Sequence, residues 1–219
     1  MAGSDDTASA PERAYRAIRD EILDGTHRPG TMLGETALAA ALGMSRTPVR
    51  TALARLSDEG WIVVYPKRGA LVQGLSERAI AELADARFVL ETTGVDRAPE
   101  VRRAELATTL EKVIVDQRKA LARKDVQRFI TLTLQFHRGF VEAGGNGILL
   151  ELYDRLSDRH RFALFAARDR LLGRSMDILA EHQELVTHLR EGDVSAFART
   201  LRGHIAEVGD TIPALLNHL

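Results

Sequence analysis

The sequence predicts a mainly α chain: a small helix–helix–helix–hairpin unit at the N-terminal end, then an all-α bundle of six or seven helices. Three observations predict it. Apolar residues recur at spacings of three and four over most of the chain, two β-rich runs flank a Pro-Lys-Arg-Gly turn at 66–69, and beyond residue 76 the divisions are helix breakers. At 219 residues and 45% hydrophobic, the chain can bury a core large enough for one or two domains.

The elements follow in order. Residues 1–10, MAGSDDTASA, are acidic and polar and unlike a signal peptide, so a disordered lead-in is expected. A first helix runs from Pro11 to Leu23, with Tyr15, Ile18, Ile22 and Leu23 at helical spacing and Gly25 ending it. A short second helix, Glu35 to Leu42, is followed by a Gly43-Met44 turn. Ser45 is an N-cap residue whose hydroxyl can accept from a free first-turn amide, and Pro48 is harmless where amides have no intrahelical partner. The third helix therefore starts at Arg46. Val49, Leu53 and Leu56 form its apolar stripe, and Glu59-Gly60 is its stop, with glycine after the cap. Trp61 to Tyr65 and Ala70 to Val72 then read as a hairpin with a cationic tip.

This order, over residues 11–75, is that of a winged helix-turn-helix. Arg46, Thr47, Arg50 and Arg55 point away from the apolar stripe. The whole chain has a net charge of −1, yet 45–72 hold Arg46, Arg50, Arg55, Lys67 and Arg68 against only Asp58 and Glu59. Such a helix can lay its first turn in a DNA major groove, where arginine reads guanine edges or neutralises phosphate. A protein-binding winged helix, with these arginines as a solvated face, is the alternative.

A linker at 73–77 leads into the second domain, 76–219, with Ser76 capping its first helix. Helical spacing covers 80–95, 106–121, 126–141, 148–165, 176–189 and 194–216. The breaks fall at Pro99, Lys124-Asp125, the glycine-rich 144–147, Gly173 and Gly192-Asp193. With no cysteine, disulfides and thiol chemistry are excluded. No apolar run approaches the roughly 18 residues of a membrane helix, and a cytoplasmic location is expected.

Three histidines in the bundle lie beside core-facing stripes: His137 after Phe136, His182 after Glu181, and His204 near Leu201 and Ile205. Imidazoles from three helices can hold one divalent transition metal, zinc or nickel, with a position left open. Hydrogen-bonded core histidines are the plainer alternative. A metal-dependent hydrolase is a third, and it would need a carboxylate base beside the metal. His27, His160, His188 and His218 fit exposed positions or chain ends and are given no role.

Glu35, Leu38, Ala39, Leu42, Gly43, Ser45, Arg46, Pro48, Val49, Arg50, Leu53, Leu56, Gly60, Pro66, Arg68, Gly69 and Val72 stand in the order and spacing of a known pattern. The segment resembles the winged helix of the GntR family of bacterial transcription regulators. The resemblance implies that Arg46 and Arg50 reach bases or phosphates in the major groove and that the Arg68-Gly69 wing tip enters the minor groove; Ser45, Thr47 and Lys67, beside them, are further candidate DNA-binding residues. Thr36 and Thr51 depart from it, the first removing one expected DNA contact.

From Ser76 onward the pattern resembles the FCD effector domain of the FadR-type branch, in which an aspartate and three histidines hold a metal. Carried over by position, the histidines are His137, His182 and His204, and the aspartate is replaced by Thr133. The resemblance implies a small organic acid as effector, with Arg87 and Thr133 at its site. Arg87 also fits an ordinary helix pair with Glu91. It further implies a homodimer joined through the C-terminal domain and an inverted-repeat operator, released by the effector as from a repressor.

Overall fold

The computed structural model describes residues 8–211, with side chains as far as residue 206. The greater part of the expected lead-in, the end of the last expected helix and His218 lie outside the described residues. The chain divides into two compact units, one running to Leu75 and the other starting at Ser76.

In the first unit, α1 (Ala10–Leu23) is capped by the Ser9 hydroxyl, which accepts from the Glu12 amide at 3.4 Å. A two-residue strand β1 (Met32–Leu33) precedes α2 (Glu35–Ala41) and α3 (Arg46–Asp58). The hairpin is β2 (Ile62–Tyr65) and β3 (Gly69–Val72), and β1 completes an antiparallel sheet in the order β1-β3-β2. The strand β1 was not expected, because two residues carry no periodicity and only the pairing of Met32 with Leu71 and Leu33 with Ala70 defines it. Helix α1 packs on α3, and Ile18 and Ile22 of the one and the predicted stripe of Val49, Leu53 and Leu56 of the other are all buried.

In the second unit, seven helices are described: α4 (Glu77–Arg97), α5 (Glu100–Ala122), α6 (Val126–Ala143), α7 (Gly147–Ala166), α8 (Arg168–Gly173), α9 (Ser175–Glu191) and α10 (Val194–Thr211). Side-chain caps start four of them: Ser76 on the Ala79 amide, Asp125 on Arg128, Asn146 on Ile148 and Leu149, and Asp193 on Ala196. The short α8 was missed, since six residues are too few to show a helical period. Helix α6 lies against α4, α5 and α7, while α9 packs on α5 and α10, and α10 on α4. Phe129, Phe136 and Phe140 of α6 are fully buried with Phe197 of α10, so the core lies along α6.

One contact brings α4 and α6 unusually close. A Cβ built on Gly94 would stand 2.3 Å from the Phe140 carbonyl oxygen and 2.6 Å from the Val141 Cα. Only glycine allows this approach. Glu91, one turn earlier on α4, is thereby brought to α6.

Candidate functional site

In the first unit, Arg46, Thr47 and Arg50 are exposed on the first turns of α3, as are Lys67 and Arg68 at the hairpin tip. A groove of about 520 Å³ runs between the start of α2, α3 and the wing, and Arg46, Arg50, Lys67 and Arg68 line it. Ser45 holds the N-cap position with an extended backbone, but its hydroxyl makes no capping bond, contrary to expectation. Gly69 has a backbone reason to be glycine: its φ is 119°, and a Cβ there would lie 2.4 Å from the Leu33 carbonyl oxygen.

Glu35 was expected only as part of the family pattern, and the structure makes it the organiser of the two arginines. Arg46 Nη2 donates to its Oε2 at 3.1 Å, and Arg50 Nε and Nη2 donate to its two oxygens at 3.3 and 3.0 Å. Arg50, then Arg46, holds the Glu35 carboxyl below its ordinary value. Arg55 is turned to another use. Its guanidinium lies 3.6 Å from the Tyr15 ring centroid and pairs with Glu12 and Glu59.

In the second unit, α6, α9 and α10 bring together the three expected histidines. His137, His182 and His204 are each at most 3% exposed, and one ring nitrogen of each lies within 4.8 Å of the others. The Phe136 ring stacks on His182 at 4.1 Å between centroids. Burial first, and neighbouring cationic groups second, hold His137 and His182 well below the usual imidazole value. Each is therefore neutral, with one N–H and one bare nitrogen.

The surrounding hydrogen bonds decide which nitrogen is bare. The Thr133 hydroxyl donates to the Phe129 carbonyl at 3.0 Å, so its oxygen accepts from Gln117 Nε2 at 3.0 Å. The other end of that amide, Gln117 Oε1, then faces His182 Nδ1 at 3.1 Å, and the nitrogen must carry the proton. His137 Nδ1 is 2.7 Å from Glu91 Oε2, and His204 Nδ1 is 2.6 Å from Glu181 Oε2. Burial pushes the Glu91 carboxyl up while Arg87 and Tyr153 pull it back. The guanidinium Nε at 3.0 Å and the Tyr153 hydroxyl at 3.1 Å both donate to Oε1, which suits the ionised acid. At Glu181 burial acts upward, but His204 and Arg174 outweigh it and the carboxyl is lowered.

All three Nδ1 atoms thus donate, which leaves the Nε2 atoms of the neutral His137 and His182 bare. His137 Nε2 and His204 Nε2 face one another at 3.2 Å, and His182 Nε2 is buried without a partner. Glu91, Gln117, Tyr153 and Glu181 were not foreseen in this role, although Glu91 had been paired with Arg87.

Thr133 contributes its hydroxyl to this chain of bonds. Arg87 is 4% exposed and makes the expected pair with Glu91, yet its Nη2 is buried without a partner. Beside His137 and His204 lies a cavity of about 10 Å³, room for one water-sized guest, which Arg87 and Thr133 also line. His160 lines it too. At 4% exposure it corrects the expectation of an exposed residue: α7 turns it inward. His27 and His188 are partly exposed, near Glu21 and Glu184 respectively.

Comparison with known proteins now places the molecule. The family model "Bacterial regulatory proteins, gntR family" matches residues 10–72, and that of the FCD domain matches residues 82–207, more than half of the chain. The chain belongs to the GntR family of transcriptional regulators, in its FCD-domain branch. This GntR-family regulator is 30% identical to the gluconate operon transcriptional repressor of Bacillus licheniformis over 92% of its own chain and 84% of that protein. It is 26% identical to the HTH-type transcriptional repressor RspR of Escherichia coli over 94% and 90% of the two chains. Among solved structures, a transcriptional regulator from Rhodococcus sp. RHA1 shares the fold at a TM-score of 0.78 and 24% identity, covering 94% of this chain and 98% of the other. The family consists of transcription regulators rather than enzymes. No helix among the described residues is long and apolar enough to cross a membrane.

Proposed function

We propose that this regulator is a cytoplasmic, metabolite-responsive repressor that binds an inverted-repeat operator as a homodimer. Its DNA face is Ser45, Arg46, Thr47 and Arg50 with the wing residues Lys67, Arg68 and Gly69. The named repressors among its relatives support the sign of control. Ile148 and Leu152, exposed and one turn apart on α7, support a dimer built on the bundle. A small organic acid, bound in the bundle, releases the operator by its greater affinity for one of two arrangements.

The observation that carries the effector half is the convergence of three buried imidazoles, one ring nitrogen of each within 4.8 Å of the others. His137 Nε2 and His204 Nε2 face one another at 3.2 Å, a spacing that a shared proton or a bound metal ion can occupy. Two nitrogens bonded to one ion at about 2.05 Å stand roughly 2.9 to 3.3 Å apart for right-angled to tetrahedral bonding, so the spacing suits zinc or nickel. His137, His182 and His204 would hold the ion, and Glu91, Gln117 and Glu181 would orient them. A bound divalent ion supplies open positions for an acid's oxygens. Arg87 adds a guanidinium that matches a carboxylate. An acid larger than one oxygen requires Leu164, Leu171 or Ile178, which line the cavity, to give way.

The test takes operator selected from random duplexes, measured by fluorescence anisotropy at several salt concentrations. Arg46→Ala and Arg50→Ala each weaken specific binding by about 1–3 kcal/mol, and affinity falls steeply with salt. Wild-type affinity in both variants would exclude this recognition face. Metal analysis of wild type and His182→Ala tests the other half, with about one ion per chain expected only in the former.

A further inference from the structure

Among the described residues, His160 is the one buried histidine that neither the DNA face nor the three-nitrogen cluster uses. It projects from α7 into the cavity beside His137, with ring centroids 6.1 Å apart. It does not belong to the group whose nitrogens converge within 4.8 Å. No hydrogen bond ties its ring to another of the described residues. An imidazole buried at 4% exposure therefore lines the cavity with no bond that fixes its tautomer, and is free to turn an N–H toward a guest.

With the ring nitrogens of His137 and His204 given to a metal ion, the side chains around His160 offer no free acceptor. Arg87 Nη2 is buried and unpartnered, while the Thr133 oxygen is taken up by Gln117 and Phe129. Glu91 already receives Arg87, Tyr153 and His137. Charge points the same way. Arg87 offsets Glu91 and Arg174 offsets Glu181, so a divalent ion among the histidines leaves a buried double positive charge, which a guest anion reduces. Buried donors without acceptors are costly until something brings oxygen to them.

We propose that His160 is a further effector-binding residue, whose ring N–H joins Arg87 Nη2 in gripping the carboxylate of a small acid seated beside His137 and His204. This rests on the metal-assisted effector site proposed above. Leu164, one turn beyond His160 on α7, gives the acid an apolar neighbour.

The experiment uses the full chain loaded with cobalt(II), whose visible absorption reports both metal binding and changes at its open positions, with formate as the probe. Wild type and His160→Gln, which keeps a donor, bind formate alike. His160→Leu binds cobalt(II) as wild type does but formate about ten-fold or more weakly, as expected for a donor lost from an anion. Unchanged formate binding in His160→Leu overturns the proposal, and so does loss of cobalt(II) itself, which would make His160 a metal ligand. Cobalt(II) uptake without any formate response in wild type overturns it while leaving the metal site standing. Failure of wild type to take up cobalt(II) removes both. A readout that needs no folded leucine variant is the ring N–H resonance of His160 in zinc-loaded protein, assigned by its absence from His160→Gln. Formate must shift it, and an unmoved resonance sinks the proposal.

Discussion

Replacing Thr133 with valine keeps the volume and removes one hydroxyl, and it tests how the metal-facing nitrogens are set. The hydroxyl is the acceptor for Gln117 Nε2 at 3.0 Å, and Gln117 is fully buried. Without it the amide has an unpaired donor, which costs about 1–3 kcal/mol of stability. The amide can recover a partner by turning over, but its NH₂ then faces His182 Nδ1. That nitrogen becomes the acceptor, and the proton moves to Nε2, where it competes with the metal. Loss of an outer partner of this kind typically lowers metal affinity about 10- to 100-fold, or roughly 1.4–2.7 kcal/mol. Calorimetric titration with nickel or zinc in the presence of a competing chelator measures the affinity, and thermal unfolding of the metal-free protein measures the stability. Thr133→Ser, which restores the hydroxyl, returns both to near wild type. Wild-type metal affinity and stability in Thr133→Val would refute the chain of bonds from Phe129 to His182.

Three further outcomes are expected. Gly94→Ala drives a methyl into the backbone of α6; it costs about 1–3 kcal/mol or more in denaturant unfolding and lowers metal affinity as Glu91 is pulled from His137, whereas Gly203→Ala, with nothing within 4 Å of its new methyl, does neither. Metal-free protein loses stability as pH falls from about 6.5 toward 4.5, because the unfolded chain takes up protons that buried His137, His160 and His182 refuse. Glu91, raised by burial, opposes this with one proton, leaving a slope of up to about 2.7 kcal/mol per pH unit, and a melting temperature that rises on acidification contradicts the assignment. Lys67 sits at a φ of 64°; Lys67→Gly relieves that backbone and gains up to about 1 kcal/mol of stability while reducing the salt dependence of DNA binding by about one phosphate contact, two effects read separately by melting and anisotropy.

The sequence by itself determined what depends on neighbours along the chain. The stripe of Val49, Leu53 and Leu56, the stop at Gly60, the hairpin around Pro66 and the helix start at Ser76 are local events, legible from side-chain period and cap chemistry. The same local reading set His137, His182 and His204 beside apolar stripes, and so beside the core. Tertiary structure decided what depends on how one helix is rotated against another. It brought Glu91, Gln117 and Glu181 onto the three Nδ1 atoms from 46, 65 and 23 residues away, and it made Gly94 the point at which α4 closes on α6. The pairing of β1, the service of Arg46 and Arg50 to Glu35, and the inward turn of His160 are of the same kind. A periodicity tells which face of a helix is apolar, but the partner that a polar atom on that face meets is fixed by packing across the bundle, and no spacing along the chain encodes it.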